Sequence, residues 1–116
     1  MRREIDIQQR IRLDLGRVPG LVLWRNNTGV ADYHGAKVRY GLAVGSSDLI
    51  GIYSTVIGPE HVGMTLGRFV AGEVKAPGGT VTEDQARFLS LVSSRGGLAG
   101  VWRNTEEALA TLGMVR

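Results

Sequence analysis

The sequence predicts an α/β fold, with a mixed central sheet flanked by helices, and three observations indicate it. Segments with apolar residues at helical spacing alternate with short apolar runs of strand length. Between residues 68 and 103, a strand, a helix and a second strand follow one another, as in a crossover connection of an α/β sheet. The 116 residues have room for one compact domain, so we expect a single domain over 1–116.

The first helix is predicted over residues 4–17. Ile7, Ile11 and Leu15 recur there at a spacing of four, which places them on one helical face. Pro19-Gly20 follows and ends the helix, because proline and glycine interrupt regular structure.

Strands are predicted in the middle of the chain, where short apolar runs end in turn-forming residues. The run 21–24 is ended by the asparagine- and glycine-containing turn 26–29. A glycine-punctuated region follows, in which a short strand is possible at 37–42. The next two strands are predicted at 48–54 and 68–76.

The last third of the chain has clear helix signals. Thr82 and Gln85 form a capping box that opens a helix running to about Arg95, where Gly96-Gly97 ends it. The remaining elements are a strand at 98–103 and a helix that begins after Asn104 and runs through Leu112. The predicted order is therefore α-β-β-β-α-β-α.

Composition narrows the classes of function. The net charge of +3 permits binding to a polyanion without requiring it. No cysteine is present, which excludes disulfides and thiolate metal sites and fits a reducing cytoplasm. No apolar run reaches the roughly 18 residues of a membrane span, so no membrane partner is expected. Phosphate-loop and dinucleotide motifs are missing, and we expect no small organic cofactor.

Glu73-Val74-Lys75 is the first candidate for chemistry. Side chains alternate along a strand, so Glu73 and Lys75 are predicted to share a face near the strand's end. The segment 77–79, a proline and two glycines, follows at once, where a cleft can open. Taken alone, however, the acid and base are more simply explained as a surface ion pair.

Asp48 strengthens the chemical interpretation. It begins an apolar strand after the flexible run Gly45-Ser46-Ser47. If its strand neighbours that of Glu73, the two carboxylates could converge on one divalent cation, and oxygen ligands suit Mg²⁺ or Mn²⁺. A turn or strand-cap role explains Asp48 equally well.

Two further polar residues lie where apolar ones are expected. Glu4 falls within the apolar arc of the first helix, and a buried acid needs a partner, a metal or a cleft. Its position in the first turn, where the helix dipole favours an acid, is the alternative explanation. Gln85 lies on the inward stripe of the second helix, although its place in the capping box also accounts for it. Arg25, Asn26 and Asn27 could contact phosphates, but turn formation explains them as well.

Together, these segments resemble the VRR-NUC (virus-type replication-repair nuclease) family of the PD-(D/E)xK nuclease superfamily. They follow one another along nearly the whole chain, and Ser47 stands where the superfamily name has proline. The segments are Glu4-x-x-Ile7-Gln8, Trp24-Arg25-Asn26-Asn27-x-Gly29, Gly45-Ser46-Ser47-Asp48-Leu49-Ile50-Gly51, Gly72-Glu73-Val74-Lys75, Gln85-x-x-Phe88-Leu89 and Gly96-Gly97-Leu98-Ala99-Gly100-Val101.

The resemblance implies a restriction-endonuclease-like core and phosphodiester hydrolysis with Mg²⁺ or Mn²⁺. Asp48, Glu73 and the main-chain carbonyl of Val74 would hold the metal. Lys75 would orient or stabilise the attacking water, Gln85 would support the site, and Glu4 would hold a second metal or its water.

The implied substrate is DNA, branched as in a Holliday junction, and the implied assembly is a homodimer in the cytoplasm of a bacterial or phage-infected cell. Two alternatives stay open: an accessory DNA-binding domain without catalysis, and an α/β interaction domain whose acids coincide by chance.

Overall fold

A computed structural model describes residues 3–114 and confirms the α/β class. Five strands, not three, lie between the first and second helices, because a hairpin occupies the glycine-punctuated region. The elements are α1 (Glu4–Leu15), β1 (Leu21–Arg25), β2 (Gly29–Tyr33), β3 (Ala36–Tyr40), β4 (Leu49–Tyr53), a 3₁₀ turn (Pro59–His61), β5 (Val70–Val74), α2 (Glu83–Ser94), β6 (Leu98–Trp102) and α3 (Thr105–Thr111).

The chain divides into two compact units, of which the first ends at Tyr53 and the second begins at Ser54. In the first unit β1 pairs antiparallel with β4, and Arg25 lies opposite Leu49. The side chain of Ile52, in β4, is buried in this unit. A Cβ at Gly51 would overlap the carbonyl oxygen of Val22, so the close approach of the two strands requires glycine there.

The hairpin of β2 and β3 is the element that the prediction missed in part. Its two-residue loop is His34-Gly35, and both residues have positive φ, 50° and 82°, as in a type I′ turn. Lys37 lies opposite Asp32 in the ladder, and its Nζ is 2.7 Å from the aspartate Oδ1. The hairpin is exposed along nearly its whole length, so it lacks the apolar alternation that reveals a strand.

The second unit contains a β-α-β arrangement. β5 pairs in parallel with β6, and α2 connects them, as the crossover pattern predicted. Val92 of α2 is fully buried and anchors the helix. A Cβ at Gly72 would overlap the ring of Trp102, so glycine at this position lets the indole lie across β5. The indole Nε1 donates a 3.0 Å hydrogen bond to Oγ1 of Thr111, which ties α3 to β6.

The predicted helix caps are present. Thr82 Oγ1 accepts from the backbone N–H of Gln85, and Asn104 Oδ1 accepts from that of Glu107. The ladders form three two-stranded pairs, β1–β4, β2–β3 and β5–β6, so one continuous mixed sheet is not confirmed. Within residues 3–114, no helix is long and apolar enough to cross a membrane.

Candidate active site

Glu73 and Lys75 share one face of β5, as the strand period predicted. Glu73 is half-buried, as is Lys75 directly after the strand, whereas the alternate residues Gly72 and Val74 are exposed. The side chains of Glu73 and Lys75 are 31% and 21% exposed, and Lys75 Nζ lies 3.7 Å from Glu73 Oε1. Both side chains of the pair are therefore partly buried.

Gln85 reaches Glu73 from the first turn of α2. Its Nε2 donates a 2.9 Å hydrogen bond to Glu73 Oε1. Its own Oε1 accepts from the backbone N–H of Thr82 at 2.9 Å, which completes the capping box. The capping interpretation of Gln85 is therefore confirmed, and its inward position brings it into contact with Glu73. A supporting role in catalysis remains a prediction. The capping contact engages the amide oxygen, so the amide nitrogen faces the carboxylate.

The two neighbours of Glu73 leave part of its carboxylate open. Gln85 Nε2 and Lys75 Nζ both approach Oε1, so Oε2 is the oxygen available to a ligand. The backbone N–H of Lys75 donates to the carbonyl of Trp102, which extends the β5–β6 ladder by one residue. Backbone groups alternate along a strand, so the Val74 carbonyl points away from β6. These two oxygens are hard donors of the kind that Mg²⁺ and Mn²⁺ prefer.

Asp48 belongs to the first unit and directly precedes β4. Asp48 is exposed, and its main-chain carbonyl accepts a 2.8 Å hydrogen bond from the backbone N–H of Asn26. Arg25 lies opposite Leu49 in the ladder, so this hydrogen bond continues the β1–β4 register by one pair. Asp48 is thus fixed through its backbone, while its carboxylate stays exposed.

Glu4 is exposed in the first turn of α1, which differs from the inward position that we predicted. The half-buried positions of the helix are Ile5, Gln8 and Leu15, and Ile7 is 45% exposed. The packed stripe is therefore rotated away from the one that the apolar spacing indicated. Gln8 Oε1 is buried and has no hydrogen-bond partner among the described residues. A metal role for Glu4 remains a prediction.

The three residues considered as DNA contacts have different environments. Arg25 and Asn27 are exposed. Asn26 is half-buried, and its Nδ2 donates to Ser46 Oγ at 2.7 Å and to the Ser47 carbonyl at 2.9 Å. Its side-chain donors are therefore engaged within the protein, in agreement with the alternative that Asn26 serves the turn. A contact of this residue with phosphate remains a prediction.

Arg103 is a residue near this site that the sequence interpretation missed. It directly follows β6, and its Nη2 donates a 2.8 Å hydrogen bond to the carbonyl of Gly79, in the loop that follows Lys75. Its Nη1 lies 4.0 Å from Oε2 of Glu107. The signal available in the sequence was its position, because residues that follow parallel strands gather at one edge of the sheet.

Within residues 3–114, no cluster of three or more His, Cys, Asp or Glu side chains is placed to hold a metal ion. In the second unit, the oxygens considered as metal ligands come from the Glu73 carboxylate and the Val74 main-chain carbonyl.

No protein-family model matches this chain, and comparisons with curated proteins and with solved structures gave no match.

Proposed function

We propose that this protein is a Mg²⁺- or Mn²⁺-dependent DNA nuclease. The observation that carries the proposal is the arrangement around Glu73. Its Oε1 accepts a hydrogen bond from Gln85 and lies 3.7 Å from the ammonium of Lys75. An oriented carboxylate beside a lysine suits the hydrolysis of a phosphodiester, which needs a cation site and a further positive charge close together.

Each residue has a distinct role in this proposal. Glu73 Oε2 and the Val74 carbonyl would hold the divalent cation, and the sequence resemblance adds Asp48 as a further ligand. When bound, the cation polarises the scissile phosphate and lowers the pKa of its water. Lys75 would place positive charge near the phosphate oxygens, on which negative charge develops. Gln85 restricts the rotation of the Glu73 carboxylate.

The sequence resemblance supplies the finer parts of the proposal. These are a restriction-endonuclease-like core, branched DNA such as a Holliday junction as the substrate, and a homodimer as the active assembly. Two strands of a junction must be cut symmetrically, and a domain with one site supplies one cut, which gives dimerisation a physical motive.

A cleavage assay on branched and linear DNAs, with Mg²⁺ or Mn²⁺, tests the proposal. We expect the wild-type protein to cleave with metal and to stop in EDTA. Glu73→Gln and Lys75→Ala should each lower the rate by about 100-fold or more. Glu83→Gln is the matched control, because Glu83 is an exposed acid in the first turn of α2, and it should keep the wild-type rate.

Two results would overturn the proposal: full cleavage in EDTA, or wild-type cleavage by Glu73→Gln. Binding of branched DNA without cleavage in either metal would instead identify an accessory DNA-binding domain. Light scattering on the same samples tests the homodimer.

A further inference from the structure

Asn26 is joined to the segment before Asp48 by three hydrogen bonds. Its backbone N–H donates to the Asp48 carbonyl at 2.8 Å. Its side-chain Nδ2 donates to Ser46 Oγ at 2.7 Å and to the Ser47 carbonyl at 2.9 Å. One residue at the end of β1 thus contacts three consecutive residues, the last of which is the predicted metal ligand.

The segment that Asn26 contacts consists of short residues, and the Ser46 N–H also donates a 3.0 Å hydrogen bond to the Ala43 carbonyl. Gly45 has a φ of 81°, and two serines follow before β4 begins. Short residues of this kind populate many conformations, and ordering them costs conformational entropy. The hydrogen bonds from Asn26 offset this entropy cost. Asn26 is itself held in place, because the preceding residue, Arg25, is part of the β1–β4 ladder.

The side-chain amide of Asn26 has no donor left for DNA. A primary amide has two N–H groups, and Nδ2 makes two hydrogen bonds within the protein. The neighbouring residue Asn27 differs, because it is exposed. The two adjacent asparagines therefore separate two roles: an inward residue that holds the chain and an outward one that is accessible to solvent.

We propose that Asn26 is a positioning residue that fixes the backbone before Asp48 and so holds the Asp48 carboxylate ready for a divalent cation. This role rests on the proposed function, in which Asp48 is a metal ligand. Residues that orient a ligand in this way typically change metal affinity by about ten-fold or more when replaced.

Asn26→Asp is the informative variant, since it keeps the shape of the side chain and replaces the donor by an oxygen that faces the Ser47 carbonyl. Asn27→Asp makes the same chemical change on the exposed neighbour and is the matched control. Three quantities are measured for each variant: Mn²⁺ affinity of the metal-free protein by calorimetry, DNA affinity in EDTA, and amide hydrogen exchange at residues 46–48.

We expect Asn26→Asp to weaken Mn²⁺ binding by about ten-fold and to raise the Mn²⁺ concentration for half-maximal cleavage by the same factor. Amide hydrogen exchange at residues 46–48 should become faster. The DNA affinity of Asn26→Asp in EDTA should match that of Asn27→Asp, since both add the same charge. Wild-type Mn²⁺ affinity and exchange in Asn26→Asp would overturn the inference. A loss of DNA affinity confined to Asn26→Asp, with normal Mn²⁺ binding, would overturn it in favour of a direct DNA contact.

Asp48→Ala separates this inference from the proposed function. If Asp48→Ala binds Mn²⁺ like the wild type, Asp48 is not a ligand and the proposed function loses that part. If Asp48→Ala loses Mn²⁺ and Asn26→Asp does not, only the role of Asn26 is wrong. Should Asn26→Asp fail to fold, Ser46→Ala is the second variant, because it removes one of the two groups that accept hydrogen bonds from the Asn26 amide. It should likewise weaken Mn²⁺ binding and speed exchange at residues 46–48.

Discussion

Gln85 donates a 2.9 Å hydrogen bond from Nε2 to Oε1 of Glu73, twelve residues earlier in the chain. The other end of the same amide accepts from the backbone N–H of Thr82. One side chain therefore links the cap of α2 to a candidate active-site carboxylate. This is possible because the chain between β5 and α2 brings the first turn of α2 back beside β5. The cap fixes which end of the amide faces Glu73.

Thr82 and Gln85 variants should separate the capping role from the site role. Thr82→Ala removes the hydroxyl that caps α2 but keeps the backbone N–H that orients the Gln85 amide. It should lower the free energy of unfolding by about 1 kcal/mol. Gln85→Met keeps the backbone N–H that donates to the Thr82 hydroxyl but loses the side-chain hydrogen bonds to the Thr82 N–H and to Glu73. It should reduce cleavage by about ten-fold.

Denaturant unfolding and the cleavage rate measure the two effects. An equal loss of cleavage in Thr82→Ala and Gln85→Met would show that Gln85 matters only as part of the cap.

Lys75→Arg should fail to replace Lys75 although the charge is kept. A guanidinium is planar and larger than an ammonium, and the Lys75 side chain is only 21% exposed, beside Glu73. We expect both Lys75→Arg and Lys75→Ala to lower the cleavage rate by about 100-fold.

Lys37→Ala is the control for this pair, because Lys37 is an exposed lysine of the β2–β3 hairpin. Wild-type cleavage by Lys75→Arg would mean that a positive charge of any shape suffices at this position.

Gly72→Ala should destabilise the second unit without touching the carboxylate of Glu73. The added methyl group would overlap the ring of Trp102, which is held by its hydrogen bond to Thr111. Overpacking of this kind costs about 1–3 kcal/mol. Gly67→Ala is the control, because nothing lies within 4 Å of a Cβ there, and thermal unfolding compares the two. Equal melting temperatures would show that the Trp102 ring moves aside freely.

Features set by neighbouring residues could be predicted from the sequence. The Thr82–Gln85 capping box and the Asn104 cap depend on contacts three residues apart, and both were found where expected. The shared face of Glu73 and Lys75 follows from the two-residue period of a strand. The α/β class followed from the same local periodicities.

Features set by distant residues could not be predicted in this way. The hydrogen bond from Asn26 to Ser46 spans twenty residues, and an asparagine in a turn-forming sequence gives no sign of such a partner. The β2–β3 hairpin was missed in part because its residues are mostly exposed, so no apolar alternation marks it. The rotation of α1 depends on its packing against β1, which the spacing of Ile7 and Ile11 alone does not fix.

Divalent cations should stabilise the folded protein through Glu73. A ligand that binds only the folded state stabilises it by about 2.7 kcal/mol at a concentration one hundred times its Kd. We therefore expect Mn²⁺ to raise the melting temperature of the metal-free protein and EDTA to reverse the rise. In Glu73→Gln the carboxylate becomes a neutral amide of the same shape, so most of the rise should be lost. In Glu83→Gln, which removes an exposed acid of α2, it should be kept. An equal Mn²⁺ shift in all three proteins would place the cation elsewhere and remove Glu73 from the site.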